Sequence, residues 1–338
     1  MKNIHKISLK KQAHQPVEYY VNGIKEGNIT ILSKAITLLE STKPENHLLA
    51  EEIIEQCLPY SGQSIRIGIT GVPGVGKSTF IESFGSYLIK SHNKKIAVLA
   101  IDPSSKKSGG SILGDKTRMN ELAVNSQAFI RPSPSSGALG GVAKATRESI
   151  ILCEAAGFNT ILIETVGVGQ SETDVNSMVD FFLLLMLSGA GDELQGIKRG
   201  IMEMADAIVI NKADAEDPSK VKLAVQNYKN AIHLFPANEN GWVPKVDACS
   251  ALNNTGIETI WKIMQQHTEL TQLNGWFHKK RKQQAKYWLT ETITSAVLEL
   301  FYNNPKIKEL ITQMENEVIN GKISPFKAAQ TLMTAFKK

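Results

Sequence analysis

Several scarcities in this 338-residue sequence narrow its function before any motif is considered. Cysteine is rare. Cys57, Cys153 and Cys249 are scattered, with no CxxC and no histidine at ligand spacing, so neither a disulfide framework nor a structural zinc site is expected. Cys153 and Cys249 lie in apolar stretches, where a thiol acts as a small buried hydrophobe, in keeping with a reducing compartment. The longest apolar run, Phe181-Phe182-Leu183-Leu184-Leu185-Met186-Leu187, is far short of the ~20 residues that span a bilayer. It reads as a buried strand, and no membrane partner is expected. The N-terminus carries Lys2, Lys6, Lys10 and Lys11 but no apolar stretch of a signal peptide. It is also poor in the Arg and Ser of a transit peptide. A cytoplasmic location is expected (the mitochondrial matrix if the source is eukaryotic), with a short presequence left open. There is no internal repeat or low-complexity tract.

What is present is ordinary for a globular protein: 42% hydrophobic residues, 21% charged, and a net charge of +5. That mild basic bias does not by itself call for nucleic acid. The densest basic run, Lys279-Lys280-Arg281-Lys282, has few aromatics around it and reads as a solvated helix face, so no nucleic-acid partner is expected.

Residues from about Pro16 to Pro59 have a helical pattern, with Ile29, Leu32, Ile36 and Leu39 at helical spacing. From Ser64 onward, short β-branched runs alternate with amphipathic stretches. The expected strands are Ile65–Thr70, Ile96–Asp102, Ala128–Arg131, Thr160–Thr165, Phe181–Leu187, Ala207–Asn211 and Val246–Ser250. Helices are expected at Lys77–His92, Leu139–Ala156 and Ser219–Ile232. Such alternation implies βαβ crossovers and a mostly parallel sheet covered on both faces. After about Leu270 the strand signal ends. Trp276–Tyr302 reads as one long amphipathic helix, followed by two shorter ones around Pro305 and Pro325.

Gly71-Val72-Pro73-Gly74-Val75-Gly76-Lys77-Ser78 matches G-x-x-x-x-G-K-S/T, with an expected strand running in and a helix running out. Glycines let successive N–H groups curl around a phosphate, and the helix N-terminus adds partial positive charge. Lys77 would bridge the β- and γ-phosphates, the Ser78 hydroxyl would ligate Mg²⁺, and Thr79 extends the cradle. The plain alternative is a glycine-rich turn with a coincidental lysine. Mg²⁺ takes few protein carboxylates, so acidic strand ends are the next requirement. Ile161-Leu162-Ile163-Glu164 ends in one, and Glu164 to Gly167 resembles the DxxG signature with Glu in place of Asp. Asp102 ends a second strand, and Asp115 follows the glycine-rich stretch Ser108–Gly114. Each acid alone could cap a helix. Three near the carboxyl edge of the sheet, where ligands bind, point to metal or water positioning.

Asp206–Ile210 leads into Asn211-Lys212-Ala213-Asp214, an NKxD at a strand end. The Asp214 carboxylate can accept from the guanine ring N–H and exocyclic amine, a pair adenine does not offer. Asn211 can donate to the imidazole-ring nitrogen, and the Lys212 stem can lie on the base. Such a site rejects a base that would strand its carboxylate. Ser250-Ala251-Leu252 forms a loop whose N–H groups could meet the guanine carbonyl. GTP and GDP, with Mg²⁺, are therefore the expected ligands.

With these motifs assembled, the sequence resembles the SIMIBI class of P-loop GTPases, and within it the MeaB/ArgK family, whose mitochondrial member is the MMAA protein. The resemblance covers most of the chain. Its distinctive stretches are Asp102-Pro103-Ser104-Ser105, Ser108–Met119, Arg131-Pro132-Ser133, Glu164–Glu172 and Gly189–Gly200. It implies an α/β P-loop NTPase with a mostly parallel sheet and helical extensions at both ends, divided as 1–60, 61–270 and 271–338. It also implies a homodimeric GTPase chaperone that gates adenosylcobalamin loading and protects an acyl-CoA mutase of the methylmalonyl-CoA mutase type. Asp102, Asp115 and Glu164 match the acids around Mg²⁺. Gly189–Lys198 matches a mobile switch facing the mutase, and Lys198 matches a basic residue that approaches the nucleotide. Without the resemblance, that segment reads as an ordinary polar loop. No water-orienting residue is evident, because Gln170 lies beyond Gly167, so slow intrinsic turnover is expected.

Three other readings fit the sequence less well. A nickel, zinc or cobalt metallochaperone GTPase usually shows a Cys-containing motif or His-rich tract, and this sequence has neither. An ATP-dependent kinase, a label borne by some ArgK-like proteins, conflicts with NKxD and with the lack of HRD and DFG motifs. A nucleic-acid binder would need more than one basic run. The apolar load of the C-terminal helix (Trp276, Phe277, Tyr287, Trp288, Leu289, Ile293, Val297, Leu300, Phe301) suits either packing on the GTPase domain or a dimerisation arm.

Overall fold

The computed structural model describes residues 15–41, 43–102, 119–134, 139–165, 171–189 and 199–337. They divide into two compact units, Met1–Lys280 and Arg281–Lys338. The first is built on a sheet of seven parallel strands: β1 (Ile65–Gly71), β2 (Ile96–Asp102), β3 (Ala128–Pro134), β4 (Thr160–Glu164), β5 (Phe181–Met186), β6 (Ala207–Ile210) and β7 (Lys245–Ala248). Their order is β3-β2-β4-β1-β5-β6-β7. All seven expected strands are present, within a few residues at their ends, and each pair is parallel.

A sheet covered on both faces needs strands that are apolar throughout rather than alternating. Every residue of β4, β5 and β6 is buried. Side chains still alternate between faces. Ile69, Leu183 and Val209 join Phe80, Phe84, Ile260 and Trp261 on one side, from helices Lys77–His92 and Ile257–Leu273. Leu184, Met186, Ile208 and Ile210 join Ala224, Tyr228 and Ile232 of helix Pro218–Ile232 on the other. That last helix starts sharply because Asp217 accepts from the Ser219 N–H and Pro218 fills the first helical position.

The helical pattern from about Pro16 to Pro59 is three helices, Val17–Lys25, Ile29–Leu39 and Pro44–Cys57. Asn28 caps the second, accepting from Thr30 and Ile31 N–H. The clamp at the sheet edge comes from Arg131 of β3. Its guanidinium reaches the Glu40 carboxylate and donates to Ser33 Oγ (3.4 Å) and Thr37 Oγ1 (3.2 Å), which covers an otherwise open strand. All three cysteines are buried. Burial pushes the Cys57 thiol up to about 11 and the Cys249 thiol to about 12, so both stay protonated and inert.

The amino ends of the strands are held by buried carboxylates. Glu154 accepts from the Gly62 N–H and pairs with Arg66 at 2.9 Å. Asp206 accepts from the Phe182 N–H at 2.9 Å and lies 3.5 Å from His267 Nε2. Burial alone would raise the Asp206 carboxyl. The adjacent His267, the Lys280 charge and the Phe182 N–H together bring it below its ordinary value.

The second unit holds the remainder of helix Trp276–Asn303 together with helices Pro305–Ile319 and Pro325–Phe336. Asn304 and Ser324 cap the last two, each followed by proline. Its small core includes Ile307, Met314 and Ala328, with Phe301 and Phe336 in edge contact at 5.2 Å. Leu289, Ile293, Val297 and Leu300 are more than half exposed. Among the described residues, no helix is long and apolar enough to cross a membrane.

Candidate nucleotide site

β1 ends at Gly71, in register with Leu185 of β5. A Cβ at Gly71 would run into the Leu185 carbonyl oxygen, so only glycine allows the strands to close there. The loop beyond it turns through Gly74 (φ 78°) and Gly76 (φ 91°), both in the left-handed region that glycine adopts without strain. Val75 is fully buried and anchors the loop, its N–H donating to the Val72 carbonyl at 3.2 Å. Helix Lys77–His92 starts directly from Gly76 and ends at Asn93, itself left-handed. This is the strand–loop–helix cradle expected for Gly71 to Thr79.

Within the cradle, Lys77 Nζ donates to the Gly71 carbonyl (2.9 Å) and the Val72 carbonyl (3.4 Å). Burial lowers its ammonium below the usual lysine range, opposed by the charges of Glu164 and Glu172. The Ser78 hydroxyl donates to Glu164 Oε1 at 3.1 Å, and both residues are buried. Beyond Glu164, Thr165 continues the pairing, its N–H on the Ile69 carbonyl and its hydroxyl on Thr70 Oγ1 at 2.8 Å. A hydroxyl from the first turn of helix Lys77–His92 and a carboxylate from the end of β4 form an oxygen-only donor pair, which suits a hard cation such as Mg²⁺. No group of three or more His, Cys, Asp or Glu at metal-binding distance occurs among the described residues. Asp102 closes β2, two positions beyond Ala100, which pairs with Glu164. Its side chain lies outside the described residues, as do Asp115 and Lys198 entirely.

The second half of the site begins where β6 ends. Asn211 is buried, and its N–H donates to the Met186 carbonyl. Its side chain has a structural task that local spacing does not reveal. Nδ2 donates to the Val75 carbonyl of the phosphate loop at 2.8 Å, while Oδ1 accepts from the Ala251 N–H at 3.2 Å. One amide hydrogen is thereby committed, which leaves the other for a base. Lys212 takes a left-handed φ of 59°, and its stem runs past Gly76, where a Cβ would be 3.7 Å from Lys212 Cε. Lys212 and Asp214 are exposed. The loop after β7 is shaped from within. Ser250 and Thr255 exchange both backbone hydrogen bonds, and the Asn253 N–H donates to Ser250 Oγ. The Ser250 and Ala251 N–H groups thus have partners within the protein, and Leu252 beside them is exposed. Ser83 of the phosphate-loop helix donates to Asn254 Oδ1 at 2.6 Å, a second strut under that loop.

Two contributors escape a reading by motif. The Ser83–Asn254 strut spans 171 positions and has no local signal. Glu172 lies inside the Glu164–Glu172 stretch, but only the fold brings its charge to Lys77.

A family model described as "Methylmalonyl Co-A mutase-associated GTPase MeaB" matches residues 32–306. The chain belongs to the MeaB family. It is 45% identical to the "GTPase ArgK" of Escherichia coli over 90% of its own length and 92% of the relative's. It is 43% identical to the "Methylmalonic aciduria type A homolog, mitochondrial" of Mus musculus, covering 98% and 82% of the two chains. Among solved structures, one titled "Crystal structure of LAO/AO transport system kinase" superposes with a TM-score of 0.75 at 36% identity, covering 95% of this chain and 98% of that one. As a MeaB-family protein the chain is a GTPase, and its seven-stranded parallel sheet is that of a P-loop GTPase.

Proposed function

We propose that this GTPase holds Mg²⁺ and GTP across the carboxyl edge of β1, β4 and β6, and serves an adenosylcobalamin-dependent acyl-CoA mutase of the methylmalonyl-CoA mutase type. The observation that carries the first part is the pairing of Ser78 with Glu164 beside Lys77, joined through Asn211 to the NKxD strand end. The N–H groups from Gly71 to Thr79 cradle the phosphates, and the Lys77 ammonium lies along the β–γ bridge. Ser78 and Glu164 hold the cation, with Asp102 and Asp115 completing its surroundings. Mg²⁺, when bound, draws negative charge from the phosphate oxygens. Asp214 selects guanine, Lys212 lies against the base, and the Leu252 N–H meets its carbonyl. In this reading residues 61–270 carry the nucleotide work.

The mutase assignment draws on the family's printed description and on the mammalian relative's name. In it, the chain gates cofactor loading and protects the mutase, and Gly189–Lys198 is the segment that answers the partner. The exposed row Leu289, Ile293, Val297 and Leu300 supports a homodimer formed through 271–338. The assigned compartment is the cytosol, or the matrix in a eukaryote.

Mixing the purified chain with candidate cobalamin mutases, with GTPase rate measured before and after, tests the assignment. Co-purification and a rate increase are expected. If no mutase binds or changes the rate, the chaperone role fails while the GTPase stands. Lys198→Ala should leave GTP affinity within about twofold of wild type yet lower stimulated turnover at least about tenfold. A large loss of nucleotide binding would contradict that role. Light scattering showing a monomer at micromolar concentration would refute the dimer.

A further inference from the structure

Two tethers hold the loop after β7, one on each side of its exposed tip. On one side the Ala251 N–H donates to Asn211 Oδ1 at 3.2 Å, which ties the loop to the NKxD strand end. On the other, Asn254 Oδ1 accepts from the Ser83 hydroxyl at 2.6 Å, a tie to the helix that rises from the phosphate loop. Between the two ties lie Leu252 and Asn253, both exposed. The span has little slack, because Ser250 and Thr255 exchange backbone hydrogen bonds and the Asn253 N–H donates to Ser250 Oγ. Asn254 takes a left-handed φ of 56°, a conformation that asparagine and glycine tolerate. Ser83 is buried in the second turn of helix Lys77–His92. Its neighbour Phe84 meets Trp261 with ring centroids 6.1 Å apart, so helix Ile257–Leu273, which leaves the loop, rests on the same support. The Ser83 hydroxyl thus fixes the base loop to the element that begins at the phosphates.

We propose that the Ser83–Asn254 hydrogen bond is a device for base specificity: it sets the Leu252 backbone against C6 of the purine, where guanine carries a carbonyl and adenine an amine. Ser83 and Asn254 are positioning residues that act through the loop. The inference rests on the assignment of this loop to the guanine carbonyl and deepens that reading. An N–H held in place gains a hydrogen bond from a carbonyl and opposes an amine, which is itself a donor. A loop released at one end gives up part of that gain, because binding must then order it. Asp214 reads different groups, the ring N–H and the 2-amine, so the two parts of the selectivity are separable.

Competition calorimetry on the full chain with Mg²⁺, using GDP, inosine diphosphate and ADP, tests this on wild type, Ser83→Ala, Asn254→Gly, the double variant and Asp214→Ala. Inosine diphosphate keeps the carbonyl and ring N–H of GDP but lacks the 2-amine, whereas ADP carries an amine at C6. Ser83→Ala removes the donor, and Asn254→Gly removes the acceptor while keeping the left-handed turn. Each should weaken GDP and inosine diphosphate together by about three- to tenfold and change ADP by less than about twofold. The preference for GDP over ADP then falls while that for GDP over inosine diphosphate stays at its wild-type value, a split that general damage to the fold would not produce. The double variant should bind no more weakly than the weaker single one, since both changes remove one bond. Wild-type affinities in both single variants, equal losses for all three nucleotides, or losses that add in the double variant would each overturn the role. If Ser83→Ala does not fold, Asn254→Gly, at an exposed position, carries the comparison. Failure of both to fold overturns the inference, because a strut for base selection is not a folding requirement. Asp214→Ala should lower the preference for GDP over inosine diphosphate, and an unchanged preference there would defeat the underlying reading of the base site instead.

Discussion

Replacing Asn211 with alanine would cut both ties between the phosphate loop and the base loop at once. Its carboxamide gives a hydrogen to the Val75 carbonyl at 2.8 Å and takes one from the Ala251 N–H at 3.2 Å. Val75 and Ala251 are both buried, so water does not readily replace either partner. A stranded buried donor or acceptor costs about 1–3 kcal/mol, which puts the total for the two near about 2–6 kcal/mol. Urea unfolding without nucleotide reads this directly as a lowered midpoint at unchanged slope. Asp214→Ala is the control. Asp214 is exposed, so its loss should shift stability by no more than about 0.5 kcal/mol while removing most guanine affinity. If Asn211→Ala were as stable as wild type and lost only nucleotide affinity, the carboxamide would be a base ligand alone, and its bridging role would be wrong.

Gly71→Ala should cost about 2–4 kcal/mol, because its Cβ meets the Leu185 carbonyl; Gly74→Ala, with open space around it, should lose only about 1 kcal/mol from backbone strain. Equal urea midpoints for the two would show that β1 and β5 can part. Asp206 has a depressed carboxyl in the fold, so its contribution is present above its unfolded value of 3.8 and is lost as the pH falls through the lower folded value. The stability gap between wild type and Asp206→Asn should therefore be full at about pH 5 and shrink steadily below about pH 4, and a constant gap would remove Asp206 from the acid response. Arg131→Ala should release helix Ile29–Leu39 from β3, costing about 1–3 kcal/mol and speeding tryptic cleavage at Lys34. Unchanged cleavage would mean that apolar packing alone holds the helix.

The sheet was legible because its strands are apolar throughout and separated by helical periods, a pattern that survives without knowledge of neighbours. The cradle and the NKxD strand end were legible because their chemistry is set by short spacings along the chain. The ties between them were not. Asn211 reaches Val75 across 136 positions and Ala251 across 40, and local sequence carries no record of such pairings. Its expected donation to the base accounts for only one of its two amide hydrogens. Helix Ile257–Leu273, which supplies Trp261 and His267, bears no motif and becomes visible only as cover for the sheet.

The exposed row of Leu289, Ile293, Val297 and Leu300 follows every strand of the sheet in chain order. During synthesis it therefore leaves the ribosome only after β7, when all the parallel pairings of the GTPase domain are available to form. Parallel sheets close slowly and expose unpaired edges while they do, whereas helices with local caps at Asn304 and Ser324 form quickly once they emerge. The adhesive surface of a nascent chain thus appears when little unfinished sheet remains for it to trap.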